Sequence, residues 1–482
     1  MNWKVILHFN GYLLIFLGVS LIFPLAAGLY YHDDSFRPLL YAMATVIASG
    51  AGLVVFNRPR SGEAINRREG MVAVALGWTA AGVAGALPFY FGGVLPSFTD
   101  ALFESVSGFT TTGASVLTNI EGVSKGYLFW RSFIHWLGGM GIIVLSLAIL
   151  PLIGVGGMEL YKAEVPGPMP DKLQPRIKET AKTLWKVYIV FTLCQIFLLK
   201  AGGMSLFDCL CHTFATMATG GFSTRNLSIG SFNSAYIDGV IILFMMLAGI
   251  NFTLHYRMLK GEGLAFWKDA ECRFFLVLVA AMTLIVTWNI YGPVYATIGI
   301  ALRHGAFQVV SIITTTGFAT ADFEVWPGLS QLILFLCMFI GASAGSTTGA
   351  IKCIRVLLCL KYCYRELFSL IHPKAVSYVK IVDKTVPDDI MRSVMGFLSL
   401  YMLIFIVCSL LLGAMGIDAV TSATAVATTL GNVGPGFGTV GPLDNFFHLP
   451  AAGKWVLTWC MLLGRLEIYT LIILLVPEFW RK

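Results

Sequence analysis

Apolar residues in this chain gather into runs. Ten of the runs approach or exceed the roughly 18 residues that mark a membrane-spanning helix. They lie at about 9–31, 38–57, 71–91, 132–156, 185–201, 239–256, 274–291, 329–358, 393–415 and 452–477. The first run is longer than the apolar core of a signal peptide, about 7–15 residues, and reads as a retained span. The 329–358 run is too long and too glycine-rich for one straight helix. Between spans, four shorter segments repeat a pattern: a brief apolar stretch, then Thr, Ser or Asn, then glycine. They read DALFESVSGFTTTGAS from Asp100, DCLCHTFATMATGGFS from Asp208, HGAFQVVSIITTTGFA from His304 and DAVTSATAVATTLGNVGPGF from Asp418. Aligned on Gly113, Gly221, Gly317 and Gly434, they stand 108, 96 and 117 residues apart. The first two carry Asp thirteen residues before the glycine, and the fourth needs three extra residues. One span precedes each segment and one follows it. The unit is span, half-helix, glycine turn, span, repeated four times behind an extra pair of spans. This predicts an all-α integral membrane fold with an N-terminal pair at 1–70 and repeats at 71–157, 158–260, 261–362 and 363–482.

Composition narrows the class. Hydrophobic residues make up 57% of the 482 positions and charged residues 12%, about half the usual charge of a soluble domain. A soluble enzyme, a nucleic-acid-binding protein and a disordered chain are therefore disfavoured, and the expected solvent is a lipid bilayer. The ten cysteines form no CxxC pair and the eight histidines no HExxH cluster, so inert core thiols and packed residues such as His135 are expected. With the N-terminus in the cytoplasm, 25 of the 33 basic residues fall on the inner side, and both termini are cytoplasmic. The outer side holds Arg37, Lys125, Arg131, Lys200, Arg225, Arg303 and Lys454 against eleven acids, and Arg465 falls inside a span. An acidic outer mouth attracts cations, although the same asymmetry is common among inner-membrane proteins.

A segment of about 10–12 residues cannot cross a bilayer and must dip in and return. Irregular backbone at that depth is tolerated only inside protein or beside water. Four such turns around one axis can present carbonyls that replace the hydration shell of a bare cation. Half-helices running inward would also aim their negative C-terminal ends at it. Asp100 and Asp208 stand where N-caps are wanted. Packed re-entrant loops without conduction are the plainer alternative.

The segments TTTGA, ATGGFS, TTTGFA and GNVGPGFG resemble those of the Trk-type bacterial potassium uptake proteins, the TrkH/TrkG family. So do GSTTGAIK from Gly345, GRLEIYT from Gly464, FWRSFIHWLGGMGIIVL from Phe129 and MELYKAEVPGPMPDKL from Met158. The resemblance extends over essentially the whole chain. It implies an inner-membrane, channel-like translocator with K⁺ as the transported ion and no organic cofactor. It also implies a homodimer and a cytosolic nucleotide-binding regulatory subunit of TrkA type. The filter it implies is Thr111, Thr112 and Gly113; Thr219, Gly220 and Gly221; Thr315, Thr316 and Gly317; and Asn432, Val433 and Gly434. Gly220 and Val433 replace a threonine, so two quarters lack a hydroxyl, and discrimination against Na⁺ is expected to be weaker than in a symmetric channel.

The stretch GASAGSTTGAIK at 341–352 breaks its span. It serves either close helix packing or, as the resemblance implies, an intramembrane gate involving Gly345, Ser346, Thr347, Gly349 and Lys352. Thr348 and Ala350 stand where the family commonly has glycine, which would stiffen the closed loop. Arg465, about thirteen residues into the last span, needs protein or water around it. It reads either as half of an ion pair, with Glu467 as the nearby acid, or as the gate's positive barrier. Glu104, inside the first half-helix, either braces the filter from behind or faces the outer vestibule. The basic stretch from Lys352 and Arg355 and the charged 157–186 segment follow the positive-inside rule, or form the docking face for the regulatory subunit. A secondary transporter coupling K⁺ to H⁺ or Na⁺ is the alternative function. The repeats all run in one direction and Glu467 is the only acid deep in a span, which disfavours it. No nucleophile motif or metal-ligand spacing supports an enzyme.

Overall fold

A computed structural model of the chain describes residues 1–59, 66–141, 177–375, 377–381 and 384–481. Six helices there are long and apolar enough to span a bilayer: Trp3–Tyr31, Phe36–Phe56, Arg68–Phe91, Lys182–Ala201, Ala270–Ile290 and Asp388–Ala414. They correspond to six of the ten apolar runs. Two further runs are not straight. The 239–256 run is Ala235–Gly249 and Phe252–Leu259, meeting at 99°. The 452–477 run breaks after Ala451–Arg465 and turns by 114° into Tyr469–Leu475. The 329–358 run is interrupted as expected, with helices Gly328–Cys337 and Cys353–Ile371 on either side of a loop. The 132–156 run begins as Lys125–Trp136 and continues as a π-turn over Leu137–Gly141. Its remainder and the 158–173 segment lie outside the described residues. The one sheet among the described residues is a short ribbon, Lys380–Ile381 against Lys384–Thr385.

The extra pair packs tightly. A β-carbon built on Gly11 would lie 2.8 Å from the Gly50 carbonyl oxygen, and one on Gly50 2.7 Å from that of Gly11. Small residues here let two backbones touch, which holds helices together where lipid supplies no hydrophobic drive. Asp388–Ala414 shows the opposite face of the fold. It buries Val394, Phe397, Tyr401 and Ile404 at helical spacing and exposes Leu403, Ile406 and Leu410. An apolar helix with one buried stripe is what lipid contact requires.

Four short helices fill the interior: Phe98–Phe109, Leu206–Met217, Ile298–Ile313 and Ala419–Leu430. We call them pore helices. Each ends four residues before its repeat glycine, and the last ten residues of the first are all buried. The N-caps are not Asp100 and Asp208. Ser97 and Ser205 hold those positions, with the aspartates three residues into the helices. Ser205 accepts the Asp208 amide at 3.1 Å, while Asp100 pairs with Lys454 at 2.6 Å. A carboxylate in the first turn still meets the positive end of the helix dipole. In the fourth pore helix the expected arrangement holds, as Asp418 accepts the Thr421 amide at 2.9 Å.

Candidate functional site

Each pore helix terminates in the same way. The Thr111, Thr219, Thr315 and Asn432 amides donate to carbonyls three residues back, at 3.1, 3.0, 2.9 and 3.3 Å. The next amides, of Thr112, Gly220, Thr316 and Val433, donate to Ser107, Ala215, Ser311 and Thr428, at 2.9, 2.8, 2.8 and 2.8 Å. This pair of bonds is a Schellman cap, which needs a left-handed residue and usually takes glycine there. Here the left-handed residues are Thr111, Thr219, Thr315 and Asn432, with φ of 54°, 54°, 53° and 54°. Left-handed backbone costs about 1–2 kcal/mol for a residue with a β-carbon. Strain repeated at four matched positions marks a site held by its surroundings.

The four glycines close a ring. A β-carbon on Gly113 would lie 2.2 Å from the Gly220 carbonyl oxygen. One on Gly221 would meet the Thr316 oxygen at 2.0 Å, one on Gly317 the Val433 oxygen at 2.0 Å, and one on Gly434 the Thr112 oxygen at 2.7 Å. Each repeat thus touches the next, and the fourth touches the first. All four glycines line one outward-opening pocket, with Asp444 and Arg225 also on its wall. Beside this mouth, burial raises the Glu324 carboxyl above its ordinary range, Asp322 and Asp444 add to the rise, and a bond from the Gly438 amide opposes it.

The quarters differ in their hydroxyls. Thr110 and Thr112 share a hydrogen bond of 2.7 Å, and Thr314 and Thr316 one of 2.8 Å. The second quarter has Ala218 and Gly220 at these positions and the fourth Gly431 and Val433. The fourth quarter is tied instead by Asn432, whose Nδ2 donates to Thr112 Oγ1 at 2.9 Å and to the Met461 carbonyl at 3.0 Å.

Below the ring lies the loop between Cys337 and Cys353. Its ends pair as Gly341 N to Ile351 O, 2.8 Å, and Ile351 N to Phe339 O, 3.1 Å. The 99° bend in repeat two explains its seat. The bend frees the Gly249 carbonyl and the Phe252 amide, which the loop satisfies through Ser343 N at 3.0 Å and Gly345 O at 3.1 Å. Glu271 Oε1 accepts the amides of Ala344 and Ile354, at 2.8 and 2.9 Å, holding both sides of the break.

Loop and Arg465 together reach all four quarters from below. Arg465 Nη1 donates to Thr111 Oγ1 at 3.2 Å. Thr219 Oγ1 lies 3.4 Å from Thr347 Oγ1. The Gly349 amide donates to Thr315 Oγ1 at 2.8 Å, and a β-carbon on Gly349 would lie 2.8 Å from that of Asn432. Arg465 Nη1 also donates to the Thr347 carbonyl at 2.9 Å, and Nη2 to those of Gly138 and Gly139 at 2.6 and 2.7 Å. Lys352 Nζ turns back onto the loop, bonding the Thr348 carbonyl and, at 3.0 Å, its hydroxyl. Ser346 shares a 2.8 Å bond with that hydroxyl. Gly345 stands at the loop's outer edge, its β-carbon position blocked by the Asn251 amide at 2.9 Å. Arg465 is the last residue of its helix and does not pair with Glu467. That carboxylate binds Arg355 instead. Glu467 and Ile468 both have positive φ, 54° and 58°, so the chain turns sharply there.

Glu104 is fully buried behind the ring. It accepts Ser115 Oγ at 3.0 Å and the Val116 amide at 2.8 Å, and pairs with Arg131 at 2.6 Å. Arg131 then donates to the Ser223 carbonyl at 2.8 Å and lies 3.6 Å over the Phe222 ring. Arg131 is therefore buried as well as part of the wall of the mouth. Its signal was Glu104 itself, because a carboxylate in a buried half-helix needs a cation within reach.

A family model described as TrkH, cation transport protein, matches residues 39–482. The Escherichia coli K12 protein named Trk system potassium uptake protein TrkH is 43% identical, with all of each chain covered. TrkG of the same organism is 36% identical over 99% of each chain. The crystal structure of the potassium transporter TrkH from Vibrio parahaemolyticus superposes with a TM-score of 0.90, at 39% identity and full coverage of both chains. The architecture is thus that of a helical membrane protein, and the chain belongs to the TrkH family of cation transport proteins.

Proposed function

We propose that this chain takes up potassium across the bacterial inner membrane through the four-quarter ring. The observation that carries the reading is the closed cycle of glycines and carbonyls, with a loop and an arginine beneath all four quarters. Carbonyls at such a ring replace ion hydration, and the adjoining pore-helix ends favour a cation. The names of the full-length relatives specify potassium. In this reading Thr111–Gly113, Thr219–Gly221, Thr315–Gly317 and Asn432–Gly434 hold dehydrated K⁺ in transit. The loop at 341–352 and Arg465 form a gate, and the arrangement described is the closed one. The four repeats act as pore quarters bounded near 71, 158, 261 and 363. A homodimer with a cytosolic nucleotide-binding subunit of TrkA type completes the system, with both termini in the cytoplasm.

Expression in a bacterium lacking its own potassium uptake tests the proposal. Growth at low external K⁺ should return with the chain and fail with Gly317→Ala, whose β-carbon would overlap the Val433 carbonyl. Absence of rescue with the chain correctly in the membrane, beside its regulatory subunit, would sink the reading. Coupling to H⁺ or Na⁺ is the second reading. Repeats running in one direction, and a ring built of backbone, favour the channel-like one.

A further inference from the structure

We infer that His135 is a positioning residue of the ion filter, standing in the second quarter for the threonine hydroxyl of the first and third. The inference rests on the reading of the ring as a filter. In the first quarter, Thr110 Oγ1 donates to the Val106 carbonyl at 2.7 Å, so Thr112 must donate the proton of their shared bond. The third quarter repeats this through Thr314, bonded to Val310 at 2.7 Å, and Thr316. Both middle residues are thereby tethered to the end of their own pore helix. Gly220, the middle residue of the second quarter, has no side chain to tether.

An imidazole occupies the space. A β-carbon built on Gly220 would lie 2.6 Å from both Cγ and Nδ1 of His135 and 2.8 Å from Cδ2. The ring is fully buried and cannot yield, because both nitrogens are engaged. Nδ1 lies 2.7 Å from the Gly108 carbonyl, at the end of the first pore helix. Nε2 lies 3.2 Å from the Phe222 amide, just above the second filter glycine. A carbonyl only accepts and an amide only donates, so Nδ1 carries the proton and Nε2 the lone pair. The Phe222 ring packs against the imidazole at 4.1 Å between centroids.

This contact bears on the ion. The Phe222 N–H belongs to the same planar trans peptide as the Gly221 carbonyl, and the two point in opposite directions. His135 sits behind the filter, on the helix Lys125–Trp136. Holding the N–H toward that helix turns the Gly221 carbonyl the other way, toward the mouth that Gly221 lines. Gly220 is therefore glycine because the imidazole needs its space, and the second quarter takes its anchor from the neighbouring repeat.

The test is the K⁺/Na⁺ permeability ratio, from reversal potentials of the purified chain in planar bilayers, with gel filtration reporting the fold. His135→Gln keeps an acceptor near the Nε2 position and should keep the ratio. His135→Asn keeps only the donor toward Gly108 and should lower the ratio about tenfold, the effect of one modest hydrogen bond. Gly220→Ala should lower it as well, and Gly220→Ala with His135→Ala should be no worse than His135→Ala alone. Thr316→Val, in the third quarter, is the control for the filter reading. If Thr316→Val shifts the ratio while His135→Asn does not, the inference is overturned and the filter stands. If neither shifts it, the filter reading itself fails. Additive effects of Gly220→Ala and His135→Ala would overturn the inference even if His135→Asn does not fold.

Discussion

Arg465→Ala should open the pathway. The guanidinium donates to Thr111, Thr347, Gly138 and Gly139. Only a contact that differs between closed and open states changes their balance. The Thr347 carbonyl belongs to the loop, so that bond is lost when the loop leaves. A hydrogen bond to a charged group contributes about 1.5–3 kcal/mol, which shifts the closed-to-open ratio roughly 10- to 150-fold. A cation at the lower ring also meets a positive charge there, and two unit charges 4 Å apart repel by about 4 kcal/mol at an effective dielectric of 20. Both effects have the same sign. Rubidium flux into proteoliposomes, without the regulatory subunit, should therefore rise at least about tenfold. Arg465→Lys separates the two causes, because lysine keeps the charge but not the planar fork. High flux with lysine assigns the gate to the fork, and low flux assigns it to the charge. A folded Arg465→Ala protein with wild-type flux would refute the reasoning.

Two further predictions concern the brace and the loop. Arg131→Met leaves the Glu104 carboxylate buried without its cation and should destabilise the detergent-solubilised protein by about 3–5 kcal/mol. Adding Glu104→Gln should recover part of this, and unchanged thermal unfolding in the single variant would refute the brace. Thr348→Gly and Ala350→Gly should act oppositely, although the sequence alone suggests that both loosen the gate. Thr348 supplies the hydroxyl that Lys352 and Ser346 bond, so its loss should raise basal flux. Ala350 has φ of 53°, so glycine relieves about 1–2 kcal/mol of strain and should steady the closed loop. Equal increases from both would contradict this.

The repeat was legible because glycine has a conformational meaning that survives sequence drift. Gly113, Gly221, Gly317 and Gly434 had to be small to pass a neighbouring carbonyl, and their spacing located the ring. The four short helices followed from length alone. What hydropathy could not carry was direction. The runs at 239–256 and 452–477 are apolar throughout, yet they turn by 99° and 114°. One bend receives a loop from another repeat, and the other depends on Arg355, 112 residues from Glu467. Partners so far apart leave no local pattern. Arg131 was half hidden: one residue before a span it reads as mouth charge, and it does line the mouth, but its helix begins at Lys125 and its pairing with Glu104 is buried. Asp100 and Asp208 masked the caps at Ser97 and Ser205, although Ser followed three residues later by an acid is itself a capping signal.

The central claim is that K⁺ crosses through a selective ring without a coupled ion. It is tested most directly by the reversal potential of the purified chain in a bilayer, under opposed K⁺ and Na⁺ gradients at several pH values. The account predicts a reversal potential that follows the K⁺ gradient, deviates modestly with Na⁺ and does not move with pH. A potential that shifts with the proton gradient, or that treats Na⁺ and K⁺ alike, would contradict it.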